Sequence, residues 1–279
     1  MTDGHTGSTL AGRTILVTGG GTGIGRACAR RLAAEGALVT VCGRTAERLE
    51  ETARLVAAET GARVGVVVAD VTDEDQVAAA VRRAAGDEGH LWGLVANAGG
   101  GGALAPYDRQ DVAEFRRVLE LNVVGTMVCV KHALPRMVAG GGGSIVAVSS
   151  LAAHVTHRFF GAYPPAKAGV EAVVRNVADE FGPAGVRANA VRPGFIATEI
   201  MEAIPRDSPV FASYVANTPL GGVGEPDDVA ALVRFLLSDE ARWITGTAIE
   251  VDGGHALRRG PDFSAFVPGA DEIGGGGPP

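Results

Sequence analysis

Short runs of β-branched and apolar residues alternate along this chain with longer helix-forming stretches. Thr14-Ile15-Leu16-Val17 is the first such run and predicts a buried strand. Arg26 to Glu35 is rich in Ala, Arg and Leu and stops at Gly36, which predicts a helix and its end. Ala37 to Cys42 predicts a second strand and Val64 to Val68 a third. Thr72-Asp73-Glu74-Asp75 then supplies the acidic opening of another helix. The alternation runs from Arg13 to about Val251 without a Pro- or Ser-rich linker, so residues 11–267 are expected to form a single α/β domain, doubly wound about one sheet. Gly99 to Gly102 and Gly140 to Gly143 read as short loops bordering strands. Residues 1–10 and 268–279 carry little that could be buried and are expected to be flexible.

The connection between the first strand and first helix is Thr18-Gly19-Gly20-Gly21-Thr22-Gly23-Ile24-Gly25. A strand, a glycine turn and a helix in that order leave backbone N–H groups at the positive end of a helix dipole, where a pyrophosphate binds. The missing side chains let the phosphates come close. After the second strand many NAD-binding folds carry a carboxylate for the ribose 2′-hydroxyl, but here Gly43-Arg44 stands in its place. An arginine fork suits a 2′-phosphate, so NADP(H) is favoured over NAD(H), the alternative being a solvated Arg44 at a helix start. Asp70-Val71, closing the third strand, would lie beside the adenine, and a capping role for Asp70 competes with this.

Tyr163-Pro164-Pro165-Ala166-Lys167 places a phenol and an ammonium four residues apart, on one face of a helix. A phenol titrates near pH ~10, and a neighbouring cation would draw that value toward the range useful for proton transfer. Ser150, on a separate segment, could bond the same substrate oxygen. Proline is tolerated only in a helix's first turn, so this helix should begin close to Tyr163, with Lys167 in its second turn.

Taken together, these motifs in this order resemble the short-chain dehydrogenase/reductases, over residues 10 to 260 or so. Within the family, the sequence most resembles actinobacterial members. The resemblance implies a Rossmann-type parallel sheet of seven strands in the order 3-2-1-4-5-6-7, with helices on both faces. It also implies site residues. Gly19, Gly21, Thr22, Gly23, Ile24 and Gly25 would form the cofactor loop, with Arg44, Asp70 and Val71 toward the adenosine. Asn97-Ala98-Gly99 would end the fourth strand beside the cofactor, and Pro193, Gly194, Ile196 and Thr198 would meet the nicotinamide carboxamide and phosphates. Ser150, thirteen residues before Tyr163, would be the catalytic serine. Tyr163 and Lys167 would serve as acid/base and lysine while also touching cofactor, and Asn122 would hold a proton-relay water. The activity implied is hydride transfer between nicotinamide and a ketone or secondary alcohol, by a cytoplasmic homodimer or homotetramer. An enoyl-thioester reductase and a non-catalytic dinucleotide sensor are the competing readings.

Composition narrows the field. The net charge of −7 argues against nucleic acid as a partner. Three cysteines without metal spacing are expected to stay reduced, and His154 and His157, in a loop without nearby carboxylates, are not expected to hold a metal. No amino-terminal run combines positive charge with apolar residues, and no apolar stretch reads as long enough to span a bilayer. The loop with His154, Thr156, His157, Arg158, Phe159 and Phe160, and a lid from Glu199 to Gly222, would shape the substrate pocket. Their apolar content predicts a largely apolar small-molecule substrate, and the resemblance to actinobacterial members of the family implies a 3-oxoacyl thioester or a steroid-like ketone. Arg158 and the histidines would either face that pocket or be solvated.

Overall fold

The computed structural model describes residues 10–258, 260 and 263–269. Of the two ends expected to be flexible, only Leu10, Pro268 and Gly269 fall inside that range, and Leu10 is fully buried. The strands are β1 (Thr14–Thr18), β2 (Leu38–Gly43), β3 (Gly65–Val68), β4 (Gly93–Ala96), β5 (Gly143–Val148), β6 (Val186–Pro193) and β7 (Ala248–Val251). They pair in parallel in the order β3-β2-β1-β4-β5-β6-β7, as the resemblance implied. The order reverses between β1 and β4, which opens a crevice at the carboxyl ends of those two strands. Gly143 belongs to β5, so the second glycine loop is shorter by one residue than expected.

The helices are α1 (Gly23–Ala34), α2 (Ala46–Thr60), α3 (Glu74–Ala85), α4 (Val112–Leu119), α5 (Gly125–Ala139), α6 (Tyr163–Phe181), α7 (Pro209–Asn217) and α8 (Pro226–Leu237). Strand side chains alternate between the two faces of the sheet. Leu16, Leu94, Ile145 and Ala188 pack with Val81, Ala133 and Val174 from α3, α5 and α6. Ile15, Val17, Val95, Val146 and Val191 pack with Leu32, Val229 and Val233 from α1 and α8. Each large side chain so buried contributes about 1.5–3 kcal/mol, which pins every strand in register. Asp73, not Asp70, caps α3, accepting from Gln76 N at 3.1 Å.

One expectation needs correcting. The helical run Val112–Ala139 is long and apolar enough, by length and composition, to cross a bilayer. Half of its most apolar window is buried inside the molecule, where α5 packs on α3 and the sheet, as a core helix does. Within that run the segment Glu120–Val124 is wound as a π-helix, with Gly125 N donating to Glu120 O.

Candidate active site

The glycine loop is tied to the end of β4 by side-chain bonds. Thr18 Oγ1 accepts from Asn97 N (3.0 Å) and Ala98 N (2.9 Å), while Asn97 Nδ2 donates to Thr18 O (2.9 Å) and Gly19 O (3.1 Å). Gly19 (φ +64°) and Gly23 (φ +47°) occupy the left-handed region that side chains avoid. A Cβ on Gly25 would collide with the Gly19 carbonyl, and one on Gly21 would lie 3.0 Å from Arg48 Cβ. Thr22 precedes α1 without capping it, and the first turn holds no acidic residue, so its N–H groups remain available to an anion. Ile24 anchors the loop in the core beneath. Thr198 Cγ2 lies 3.0 Å from where a Gly23 Cβ would be. This is a cradle that only glycines leave open, and its residues fit a dinucleotide pyrophosphate.

Arg44 is exposed at the end of β2, and its charge helps hold the Asp70 carboxyl below the usual range. The larger cause is Thr72, whose N–H (3.0 Å) and Oγ1 (2.8 Å) both donate to Asp70 Oδ1. Val71 is buried against Gly125, where a Cβ would come within 2.8 Å of Val71 Cγ2. Beyond β6, Gly194 N donates to Val251 O (3.0 Å), following Pro193, and buried Ile196 forms a bridge with Gly224.

The proton-transfer candidates converge at the ends of β4 and β5. The two prolines start α6 at Tyr163, as they require, with Lys167 one turn on. Lys167 is buried, donates to Val148 O (2.9 Å), and lies 5.6 Å from the centre of the Tyr163 ring. Burial lowers its pKa to about 8. The Tyr163 phenol is pushed up by burial, opposed by hydrogen bonding with Ser150. In this arrangement burial is the larger influence on the phenol, and the Lys167 ammonium is turned onto the Val148 carbonyl. Asn122 sits in the π segment with its amide donating to Gly100 O (2.9 Å) and Val118 O (2.8 Å). A Cβ on Gly99 would lie 2.6 Å from Asn122 Oδ1 and 3.1 Å from Lys167 Nζ, so a glycine there lets these two groups approach. Ser150 stands at the head of a short 3₁₀ turn, its Oγ accepting from Ala152 N at 3.2 Å.

Tyr163 is flanked by rings. Phe160 meets it edge-on at 6.0 Å, Phe263 meets Phe160 at 4.7 Å, and Tyr214 meets Phe263 at 6.0 Å. Phe195 stacks on Tyr214 at 4.1 Å, and Leu104, Met201, Ile204 and Phe211 complete the apolar cluster.

A family model described as enoyl-(acyl carrier protein) reductase matches residues 19–256. A short-chain type dehydrogenase/reductase from Mycobacterium ulcerans superposes with a TM-score of 0.90 at 44% identity, covering 92% of this chain and 94% of its own. The chain belongs to the short-chain dehydrogenase/reductase family. Its members are NAD(P)(H)-dependent oxidoreductases of alcohols and ketones. The cis-4-hydroxycyclohexanecarboxylate dehydrogenase of Sinomonas cyclohexanicum is 43% identical over 89% of this dehydrogenase and 98% of its own length. A 7α-hydroxysteroid dehydrogenase, solved with NADH and 7-oxo glycochenodeoxycholic acid, shares 31% identity and a TM-score of 0.84, over 91% of this chain and 98% of its own.

Other residues of this dehydrogenase reach the site without having been expected there. Arg26 donates from Nε (3.1 Å) and Nη2 (2.5 Å) to Gly21 O, and its Nη1 lies 3.8 Å from Glu199 Oε1, which ties the lid to the glycine loop. Arg48 backs onto Gly21. Phe263 comes from beyond the matched family region. Only the Arg44/Arg48 spacing, one helical turn, was a usable signal in the sequence. His154 and His157 diverge: His154 is exposed, whereas His157 is buried with Nδ1 2.8 Å from Val155 O. Burial pushes the His157 pKa down to about 4. Among the described residues no group of His, Cys, Asp and Glu side chains forms a metal site.

Proposed function

We propose that this dehydrogenase interconverts a ring ketone and its secondary alcohol on a largely apolar substrate, with NADP(H) favoured over NAD(H). The observation that carries the reading is the convergence of Ser150, Tyr163, Lys167 and Asn122 beside an aromatic wall at the mouth of the glycine cradle. When bound, the nicotinamide supplies the hydride donor or acceptor. The protein's own groups handle the oxygen. Ser150 hydrogen-bonds the substrate oxygen, and the Tyr163 hydroxyl gives it a proton in reduction or takes one in oxidation. Burial raises the phenol's pKa, which favours the protonated, donating form. Lys167 spends one donor on Val148 O and has others for the nicotinamide ribose and for a water held by Asn122.

Gly19, Gly21, Thr22, Gly23, Ile24 and Gly25, with Asn97, Ala98 and Gly99, hold the pyrophosphate and nicotinamide half. Pro193, Gly194, Ile196 and Thr198 close on it, and Asp70 and Val71 flank the adenine. Arg44, reinforced by Arg48, supports a 2′-phosphate; Gly43 puts no carboxylate in its way. Of the two substrate shapes expected from the sequence, a steroid-like or alicyclic ketone is favoured over a 3-oxoacyl thioester. Relatives named for a hydroxycyclohexanecarboxylate and a hydroxysteroid point that way, as does the ring-lined wall. The enzyme is cytoplasmic and assembles as a dimer or tetramer, with exposed Val112 and Met127 on the α4–α5 surface supporting assembly there.

The test follows nucleotide absorbance with NADPH and NADH over cyclohexanols, steroid ketones, 3-oxoacyl thioesters and sugars. Turnover of a ring alcohol or ketone, lost in Tyr163→Phe with nucleotide affinity retained, supports the reading. Unchanged turnover in Tyr163→Phe would overturn the proton-transfer assignment. Nucleotide binding without any turnover would favour the dinucleotide sensor.

A further inference from the structure

A carboxylate from the lid stands at the glycine cradle. Glu199 Oε2 lies 3.4 Å from where a Cβ on Gly23 would be, and Cγ2 of the preceding Thr198 lies 3.0 Å from the same point. Gly23 is the first residue of α1, whose first turn holds no acidic side chain and whose Thr22 cap lends it no side-chain bond. Glu199 thus brings to this positive helix end the negative charge that its own sequence does not supply. Arg26 holds the carboxylate only loosely. That guanidinium spends Nε and Nη2 on Gly21 O, and its Nη1 stays 3.8 Å from Glu199 Oε1, beyond hydrogen-bond reach. Gly23, Arg26, Thr198 and Glu199 line one cavity of about 710 Å³, between α1, the lid and the start of α8. Further along the lid, Met201 and Ile204 pack into the apolar cluster, which anchors the segment on its far side.

Resting on the glycine loop as the nucleotide's seat, we propose that Glu199 sets nucleotide affinity: its carboxylate competes with the cofactor's pyrophosphate for the amino terminus of α1. Two anions at that range repel. A dinucleotide therefore has to push the carboxylate off the loop, and binds less tightly than the cradle alone would allow. One charge then has two effects of opposite sign, steadying the protein without nucleotide and penalising the complex. Neither effect depends on which carbonyl is reduced or on a 2′-phosphate.

The experiment is calorimetric titration of wild type, Glu199→Gln, Glu199→Ala and Asp227→Asn with NADPH, NADH and adenosine 2′-monophosphate, with thermal unfolding alongside. Removing the Glu199 charge should lower Kd for both dinucleotides about 3- to 10-fold, with Gln and Ala alike, because the side chain is partly exposed and its field is screened. Adenosine 2′-monophosphate, which has no pyrophosphate, should bind as before. Asp227 lines the same cavity from α8, and its variant should match wild type. Without nucleotide Glu199→Gln should melt slightly below wild type, yet gain more in Tm when NADPH is added. Dinucleotide binding unchanged or weakened in Glu199→Gln would overturn the proposal. Equal tightening in Asp227→Asn, or toward adenosine 2′-monophosphate, would overturn it too, by making the effect one of general charge. Wild type binding neither dinucleotide would overturn the cradle reading itself.

Discussion

The seat of α6 rests on a buried ion pair, and removing one half of it should be far more damaging than removing both. Glu171 on α6 has a side chain only 5% exposed and receives Arg192 in a forked contact, Nε to Oε1 and Nη2 to Oε2, both at 2.7 Å. Ser149 adds a hydrogen bond to Oε1 at 2.8 Å and also reaches Lys167 O at 3.2 Å. The network thus fixes the α6 segment carrying Lys167 against the strand end carrying Ser150. Arg192→Met leaves a buried carboxylate with Ser149 and, at 4.0 Å, the exposed Arg175 as its remaining side-chain partners, which costs about 3–5 kcal/mol. For a chain of this size that is roughly a 6–20 °C fall in Tm. Glu171→Met should cost less, because Arg192 keeps Glu250 at 2.6 Å and is itself 16% exposed. The double variant should recover much of the loss, since an apolar pair leaves no stranded charge. Urea denaturation of the four proteins, followed by circular dichroism and activity, gives the coupling energy directly. Acid should narrow the gap between Arg192→Met and wild type, because protonation removes the stranded charge. Singles costing less than about 1 kcal/mol, or a double variant equal to their sum, would refute the argument.

Gly99→Ala should drive a methyl into Asn122 and Lys167, 2.6 and 3.1 Å from their polar atoms, and lower kcat/KM by about 10- to 100-fold with the fold intact by circular dichroism. Wild-type turnover in that variant would remove Asn122 and Lys167 from the proton path. His157 has a folded pKa of about 4 against an ordinary 6.5, so its stabilising contribution is full above 6.5 and is lost as pH falls toward 4. The loss is on the order of 3 kcal/mol. A His157→Gln variant should show a flatter acid limb in urea titrations between those values; an unchanged limb would place the acid sensitivity elsewhere.

What the sequence made legible was local or carried by family order. The β-branched runs marked the first three strands, the glycine loop marked the cofactor cradle, and Pro164-Pro165 put the start of α6 close to Tyr163, where it lies. Asn122 could be named by its motif, but the π winding beneath it could not, because it depends on how Val118 and Gly100 are met by one amide. The Glu171–Arg192 pair joins a helix to a strand 21 residues on, a separation that leaves no periodic trace. Phe160, Phe195, Tyr214 and Phe263 share a wall only because four segments far apart in sequence meet there. The spacing of Tyr163 and Lys167 put them on one helix face but said nothing about which carbonyl takes the ammonium, here Val148 O.

That wall also has a consequence for descent. Every ring in it comes from outside the seven strands, and Phe263 comes from outside the segment that the family model recognises. The residues proposed for nucleotide and proton chemistry sit instead on the glycine loop, the π segment, α6 and the stretches that leave the strand ends. Substrate range can therefore drift by changes in segments the sheet does not depend on, while the chemistry is inherited intact. Enzymes of this architecture can then exchange one substrate for another without having to refold.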